Sequence, residues 1–174
     1  MPSNSNLVEF TQISPNKSSP RSSTVSKITI HHCAGVMSIE DLGRQFQLTN
    51  VSSPASSNYG IGNDGRVGMY VDEKDRAWTG SSTANDNVAV TIEVSNSATG
   101  GDWPVGAKAM ETLYDLCVDV CRRNGISALN FTGNANGNLT LHKYFTATVC
   151  PGPHLESRMN TIVTSVNKRL TACS

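Results

Sequence analysis

Charge is scarce and neither sign prevails: only 16% of the 174 residues are Asp, Glu, Lys or Arg, with 14 basic side chains against 14 acidic ones. Such a balance builds no field able to gather a polyanionic nucleic acid or an anionic bilayer. It argues against nucleic acid as a partner. Long apolar runs are missing too. Nothing approaches the roughly 18 consecutive apolar residues that span a bilayer, and the N-terminus lacks the basic stretch and apolar run of a secretory signal. The expectation is synthesis in the cytoplasm with no insertion into a membrane. A disulfide framework is also lacking, because the five cysteines, Cys33, Cys117, Cys121, Cys150 and Cys173, are odd in number and have no small-scaffold spacing. Some of them must serve otherwise.

What is present suits one domain around one core. Apolar residues make up 37% of the chain, and the polar remainder is rich in Ser, Thr, Asn and Gly, as in a soluble globular protein with long uncharged loops. Residues 1–24 form a Ser-, Asn- and Pro-rich segment whose one apolar stretch, Leu7 to Ile13, suits an edge strand or a short packed arm. From Val25 the pattern becomes strand, with Ile28 and Ile30 on one side and Thr29 and His31 on the other. Ser38 and Asp41 then make a capping box, Met37 and Leu42 a staple, and Ile39, Leu42 and Phe46 one face of a helix.

After a Ser- and Pro-containing loop at 50–57, Tyr59 to Gly62 and Arg66 to Val71 flank Asn63-Asp64-Gly65, a hairpin turn by its Asp-Gly step. Val88 to Val94 is a strand with Val88, Val90, Ile92 and Val94 on one face and Glu93 on the other. Pro104 to Arg123 reads as a long helix striped by Met110, Leu113, Cys117 and Val120 or Cys121 and closed by Gly125, which makes Cys117 and Cys121 core residues. A strand pair is predicted at about Ala128–Thr132 and Leu139–Lys143, across a turn-rich run, with Thr140 and His142 on one face. A last amphipathic helix carries Leu155, Met159, Ile162, Val166 and Leu170. Strands alternating with helices predict an α/β domain with a central mixed sheet flanked by helices.

Three predicted strands place a residue of catalytic type, His31, Glu93 or His142, opposite their aliphatic side chains. The loop from Lys143 to Val149 leads to Cys150-Pro151-Gly152-Pro153 and can return the Cys150 thiol to His142. Two histidines and a cysteine suit a catalytic zinc with a fourth position left for water, His31 being the third ligand. On spacing alone, unrelated surface histidines and a buried free cysteine remain the commoner reading of these residues.

A larger set of motifs occurs in order: Ile28-Thr29-Ile30-His31-His32, Tyr59-Gly60-Ile61-Gly62 with Asp64-Gly65-Arg66-Val67, Val90-Thr91-Ile92-Glu93, and Leu141-His142 followed by Thr148-Val149-Cys150-Pro151-Gly152. This set resembles the type 2 N-acetylmuramoyl-L-alanine amidases, relatives of the peptidoglycan-recognition proteins, and most closely the catalytic domains of phage endolysins from Gram-positive hosts. The likeness runs from about Val25 to Leu170 and implies a zinc amidase catalytic domain over 25–174. It implies zinc ligands at His31, His142 and Cys150, an acid–base carboxylate at Glu93, and oxyanion donors at Tyr59 and Thr148. Thr148 departs from the Lys that many phage members carry there. The substrate implied is bacterial peptidoglycan, cut between N-acetylmuramic acid and L-alanine. A separate cell-wall-binding domain is expected outside this chain.

Each position has a plainer rival. Tyr59 would pack at a strand start, Thr148 would shape a turn, and Glu93 would be an ordinary strand residue. A one-residue slip would exchange His32 for His31. Cys33, two residues beyond His31, would as a fourth ligand close the site and make the metal structural. A peptidoglycan-binding module that has lost catalysis is the remaining alternative.

Overall fold

In the computed structural model, residues 4–80 and 82–172 are described, and Cys173 lies outside them. In chain order the elements are β1 (Val8–Thr11), β2 (Lys17–Ser18), β3 (Lys27–His32), α1 (Ile39–Gln45), β4 (Tyr59–Ile61), β5 (Val67–Met69) and β6 (Arg76–Ala77). They continue with α2 (Thr83–Val88), β7 (Ala89–Val94), α3 (Ala107–Arg123), β8 (Leu139–Leu141), a 3-10 turn at His142–Tyr144, α4 (Pro153–Ser157) and α5 (Met159–Thr171). Six strands make one mixed sheet in the order β1-β5-β4-β7-β3-β8. Only β4 and β5 pair antiparallel within it. Among the described residues no helix is long and apolar enough to cross a membrane.

The alternation predicted for the strands sorts the sheet into two faces. Ile28, Ile30, Tyr59, Ile61, Val90, Ile92, Leu139 and Leu141 join the α3 residues Leu113, Leu116 and Cys117 and the α5 residues Met159, Ile162 and Val166 in one buried cluster. Cys117 and Cys121 are thus core residues, as their helical spacing predicts. The opposite face takes α1, whose capping box forms as read: Asp41 N donates to Ser38 Oγ (3.0 Å) and Ser38 N to Asp41 Oδ2 (3.3 Å). Gly60 and Gly68 let that helix lie directly on the strands. A Cβ on Gly60 would sit 2.8 Å from Leu42 and from Tyr70, too close for any side chain. The β4–β5 turn uses Gly65 at φ +84, which the Asp-Gly step foretells.

Four expectations need correction. Val88 ends α2 rather than opening a strand, because Ser82 Oγ accepts from Asn85 N (3.1 Å) and starts a short helix in a polar stretch without apolar periodicity. Ala128–Thr132 is not a strand. Asn138 pinches that segment instead, taking Asn130 N on its Oδ1 (2.6 Å) and donating from Nδ2 to the Ala128 carbonyl (2.9 Å), while the backbone N–H groups of Asn138 and Leu139 converge on the one Asn130 carbonyl, so no regular ladder forms. β8 stops at Leu141, two residues before the predicted end, where the chain tightens into the 3-10 turn. The last helix is broken into α4 and α5.

The N-terminal segment is built into the domain. β1 is an edge strand, parallel to β5, and β2 pairs with β6 in a two-stranded ribbon. Arg21 fastens the end of the segment by donating to the carbonyls of Glu73, Asp75, Asp86, Asn87 and Ala89.

Candidate metal centre

β3 lies between β7 and β8, and the pairing sets what meets on the α1 face. His31 is directly opposite Glu93 in the β3–β7 register, while Thr29 faces Thr91 on one side and Thr140 on the other. Below the histidine runs a row of buried hydroxyls. Thr29 and Thr140 share a hydrogen bond of 2.9 Å, Asn85 Nδ2 donates to Thr29 (2.8 Å), and Asn58 Oδ1 accepts from Thr91 N (3.1 Å). Such partners are what buried polar groups require.

One residue past β8, His142 rises beside His31, with ring centroids 4.4 Å apart. Cys150 arrives from the following loop. Its Sγ lies 3.9 Å from His31 Nδ1, accepts the His32 N–H at 3.4 Å, and its carbonyl accepts from Lys143 N at 3.1 Å. One ligand atom from each of His31, His142 and Cys150 falls within 4.8 Å of the other two. Glu93 Oε1 stands 4.0 Å from His31 Nδ1 at the edge of this cluster.

The electrostatics suit a cation. Burial, then the neighbouring His142 and His32, push the His31 pKa well below the ordinary histidine range. Burial, then the Glu93 carboxylate, push the Cys150 thiol up, and burial raises Glu93 to about 8. Without a positive ion, each group is driven toward its neutral form. Nε2 of His31 and Nε2 of His142 are buried with no hydrogen-bond partner. Burial lowers the His142 pKa and the Gly80 backbone, which hydrogen-bonds the ring, opposes it; a backbone partner of this kind orients a ligand histidine. Two imidazoles and a thiol with orphaned nitrogens form a donor set that zinc accepts.

His32 and Cys33 fall outside the cluster. His32 points to the other face, its ring edge-on to Trp103 at 5.2 Å between centroids. Cys33 packs against Leu42, Phe46 and Tyr70, and the metal-ligating group found among the described residues contains three members, not four. Tyr59 requires a correction. It is paired with Ile92 rather than Glu93, so it shares the aliphatic face, fully buried, and its hydroxyl accepts the Ser5 N–H at 2.9 Å. Gly60 occupies the position opposite Glu93. Thr148 stays near the site through the chain, its Oγ1 accepting from Cys150 N at 3.2 Å. Gly80 was not legible at all, since a backbone acceptor leaves no mark in a sequence.

Residues 21–153 match the profile of the N-acetylmuramoyl-L-alanine amidase family. The chain belongs to that family. Membership makes it an amidase whose reaction is amide hydrolysis in peptidoglycan. Solved structures agree with the fold. The solution structure of the PlyG catalytic domain has a TM-score of 0.70 at 17% identity, over 91% of the amidase and 93% of that chain. The catalytic domain of XlyA gives 0.68 at 18% identity over 90% and 97%. The N-acetylmuramoyl-L-alanine amidase LysC from Clostridium intestinale URNW gives 0.62 at 19% over 90% and 95%. Identities this low speak for the shared architecture alone. No curated protein sequence matches the amidase.

Proposed function

We propose that the amidase is zinc-dependent, holding the ion with His31, His142 and Cys150, and that it lyses bacterial walls as an endolysin does. The bond cut is the amide between the lactyl group of N-acetylmuramic acid and L-alanine. The observation that carries this reading is the convergence of three ligand atoms within 4.8 Å with a carboxylate at their edge. When bound there, zinc supplies Lewis-acid polarisation of the scissile carbonyl and acidifies water.

The remaining work belongs to the chain. Glu93, whose carboxyl burial raises to about 8 in the metal-free site and which a bound cation would return to its ionised form, accepts a proton from the attacking water and delivers it to the nitrogen of the departing L-alanine amine. Thr148, its oxygen oriented by the Cys150 N–H, donates a hydrogen bond to the oxyanion that develops on the substrate carbonyl. The Gly80 carbonyl keeps the His142 ring turned for ligation.

Mass spectrometry of digested cell walls tests the reading. New fragments bearing a free N-terminal L-alanine are expected, lost on treatment with a chelator and restored by zinc. New reducing sugar ends would mean a glycosidase instead. Walls that are bound but not cut, equally by wild type and Glu93→Gln, would leave a binding module.

A further inference from the structure

Of the three candidate ligands, Cys150 has the least support from the sheet. His31 stands on β3, and His142 opens the turn one residue after β8. Cys150 lies in a loop, eight residues further on. Beyond the bonds Cys150 takes from Lys143 N and His32 N, that loop is braced by a second loop, 96–106, which grows from the end of β7 soon after Glu93.

On both sides of Trp103 the second loop is fastened to the start of α4, which directly follows the Cys150 loop. His154 N donates to the Asp102 carbonyl (3.0 Å) and Val105 N donates to His154 Nδ1 (2.6 Å). Within the second loop, Asn96 Nδ2 donates to the Trp103 carbonyl (2.9 Å) and Ser97 N to the Pro104 carbonyl (2.8 Å). Trp103 itself sits at φ +55, a conformation that a bulky residue keeps only where its surroundings impose it. Its Cβ lies 3.0 Å from the point a Cβ on Gly152 would occupy, so Gly152, at φ +90, is pressed against it. Its ring meets the edge of His32, and the backbone N–H of His32 is the one that bonds the Cys150 thiol.

We infer that Trp103 is a positioning residue for Cys150: wedged between His32 and Gly152, it fixes the distance of the thiol from His31 and His142. The inference rests on the metal reading of this site. It follows that the wedge governs how tightly the three ligands close on an ion, and that the sheet and helices stand without it. Trp103 touches His32 at the end of β3, Gly152 just ahead of α4, and its own loop, and it is not among the residues packed on the buried cluster of α3 and α5.

The test uses the whole chain stripped of metal, with Trp103→Gly, Trp103→Leu and Trp103→Phe beside wild type. Glycine accepts φ +55 without strain, so it removes the wedge and not the backbone conformation. Zinc affinity is read by competition with a chromophoric chelator, and cobalt(II) reports the thiolate through its charge-transfer band. Circular dichroism of the metal-free protein reports the fold. Trp103→Gly is expected to weaken zinc binding about 10–100-fold, as loss of an outer support does, and to diminish or shift the cobalt–thiolate band with the fold intact. Trp103→Phe is expected to stay close to wild type. Wild-type affinity and an unchanged band in folded Trp103→Gly overturn the inference while leaving the metal reading in place. If Trp103→Gly does not fold, Trp103→Leu is judged by the same criterion. If wild type itself binds no zinc and shows no thiolate band, the metal reading fails and the inference goes with it.

Discussion

The two faces of the central sheet are made from the same strands, yet they differ in almost every physical respect. On one, Ile28, Ile30, Val90, Ile92, Leu139 and Leu141 meet α3 and α5 in a continuous aliphatic layer, where each fully buried side chain contributes on the order of 1.5–3 kcal/mol. On the other, Thr29, Thr91 and Thr140 are fully buried as well, but as polar groups that cost free energy unless bonded. That cost is met by the Thr29–Thr140 and Asn58–Thr91 pairs. It is left unmet at His31 Nε2 and His142 Nε2. Asn85 Oδ1, beside Thr29, is unpartnered as well, but the two imidazole nitrogens are adjacent, beyond the threonine row at the end of the sheet, and the comparison sets the layer that holds the amidase together against the face that carries its candidate site.

The largest effect should come from breaking the polar face at its chemistry. Glu93→Gln should lower wall hydrolysis about 10²–10⁴-fold without lowering the thermal midpoint, since it replaces a desolvated carboxylate by a neutral isostere. A turnover rate within a few-fold of wild type would remove Glu93 from the reaction. Breaking the aliphatic face should do the reverse. Leu113→Ala, at a fully buried position, should cost about 2–5 kcal/mol in urea titrations while the folded fraction keeps its zinc affinity. Should affinity fall in step with stability, the two faces are not separable.

A subtler cut runs through the threonine row. Thr29→Val keeps the shape but strands Asn85 Nδ2 and leaves the Thr140 hydroxyl only its longer bond to the Ile28 carbonyl (3.5 Å), an expected loss of about 1–3 kcal/mol that Thr29→Ser should largely restore. Equal midpoints for the Val and Ser variants would show that the hydroxyl pair contributes nothing. Smallest is Ser38→Ala, which removes the cap of α1 above the polar face and should cost about 1 kcal/mol. Thermal melts of the two proteins decide it.

How far the sequence could be read depended on whether a residue obeyed a period. His31 and Glu93 were legible because alternation places them opposite the aliphatic residues of their strands, and the β3–β7 register then sets them side by side. The same rule exposes the mistake at Tyr59. Its parity is that of Ile61, a core residue, and the likeness of a motif drew it to the wrong face. Capping and turn chemistry likewise marked α1 and the Gly65 hairpin. What escaped was structure made by single contacts. The Asn138 pinch that cancels a strand, the Gly80 carbonyl behind His142 and the seat of Trp103 against Gly152 follow from tertiary approach, and no local pattern announces them.

The pairing of His31 with Glu93 in one register step has a use outside catalysis. A slip of β3 by one residue against β7 would turn the histidine toward α3 and bring His32 to the acid's side. Such a chain could still be compact and helical, and circular dichroism would count it as folded. Wall hydrolysis would not. Recovery of activity after denaturation therefore counts the molecules in which those two strands have found their true alignment, making the enzyme its own gauge of correct strand pairing.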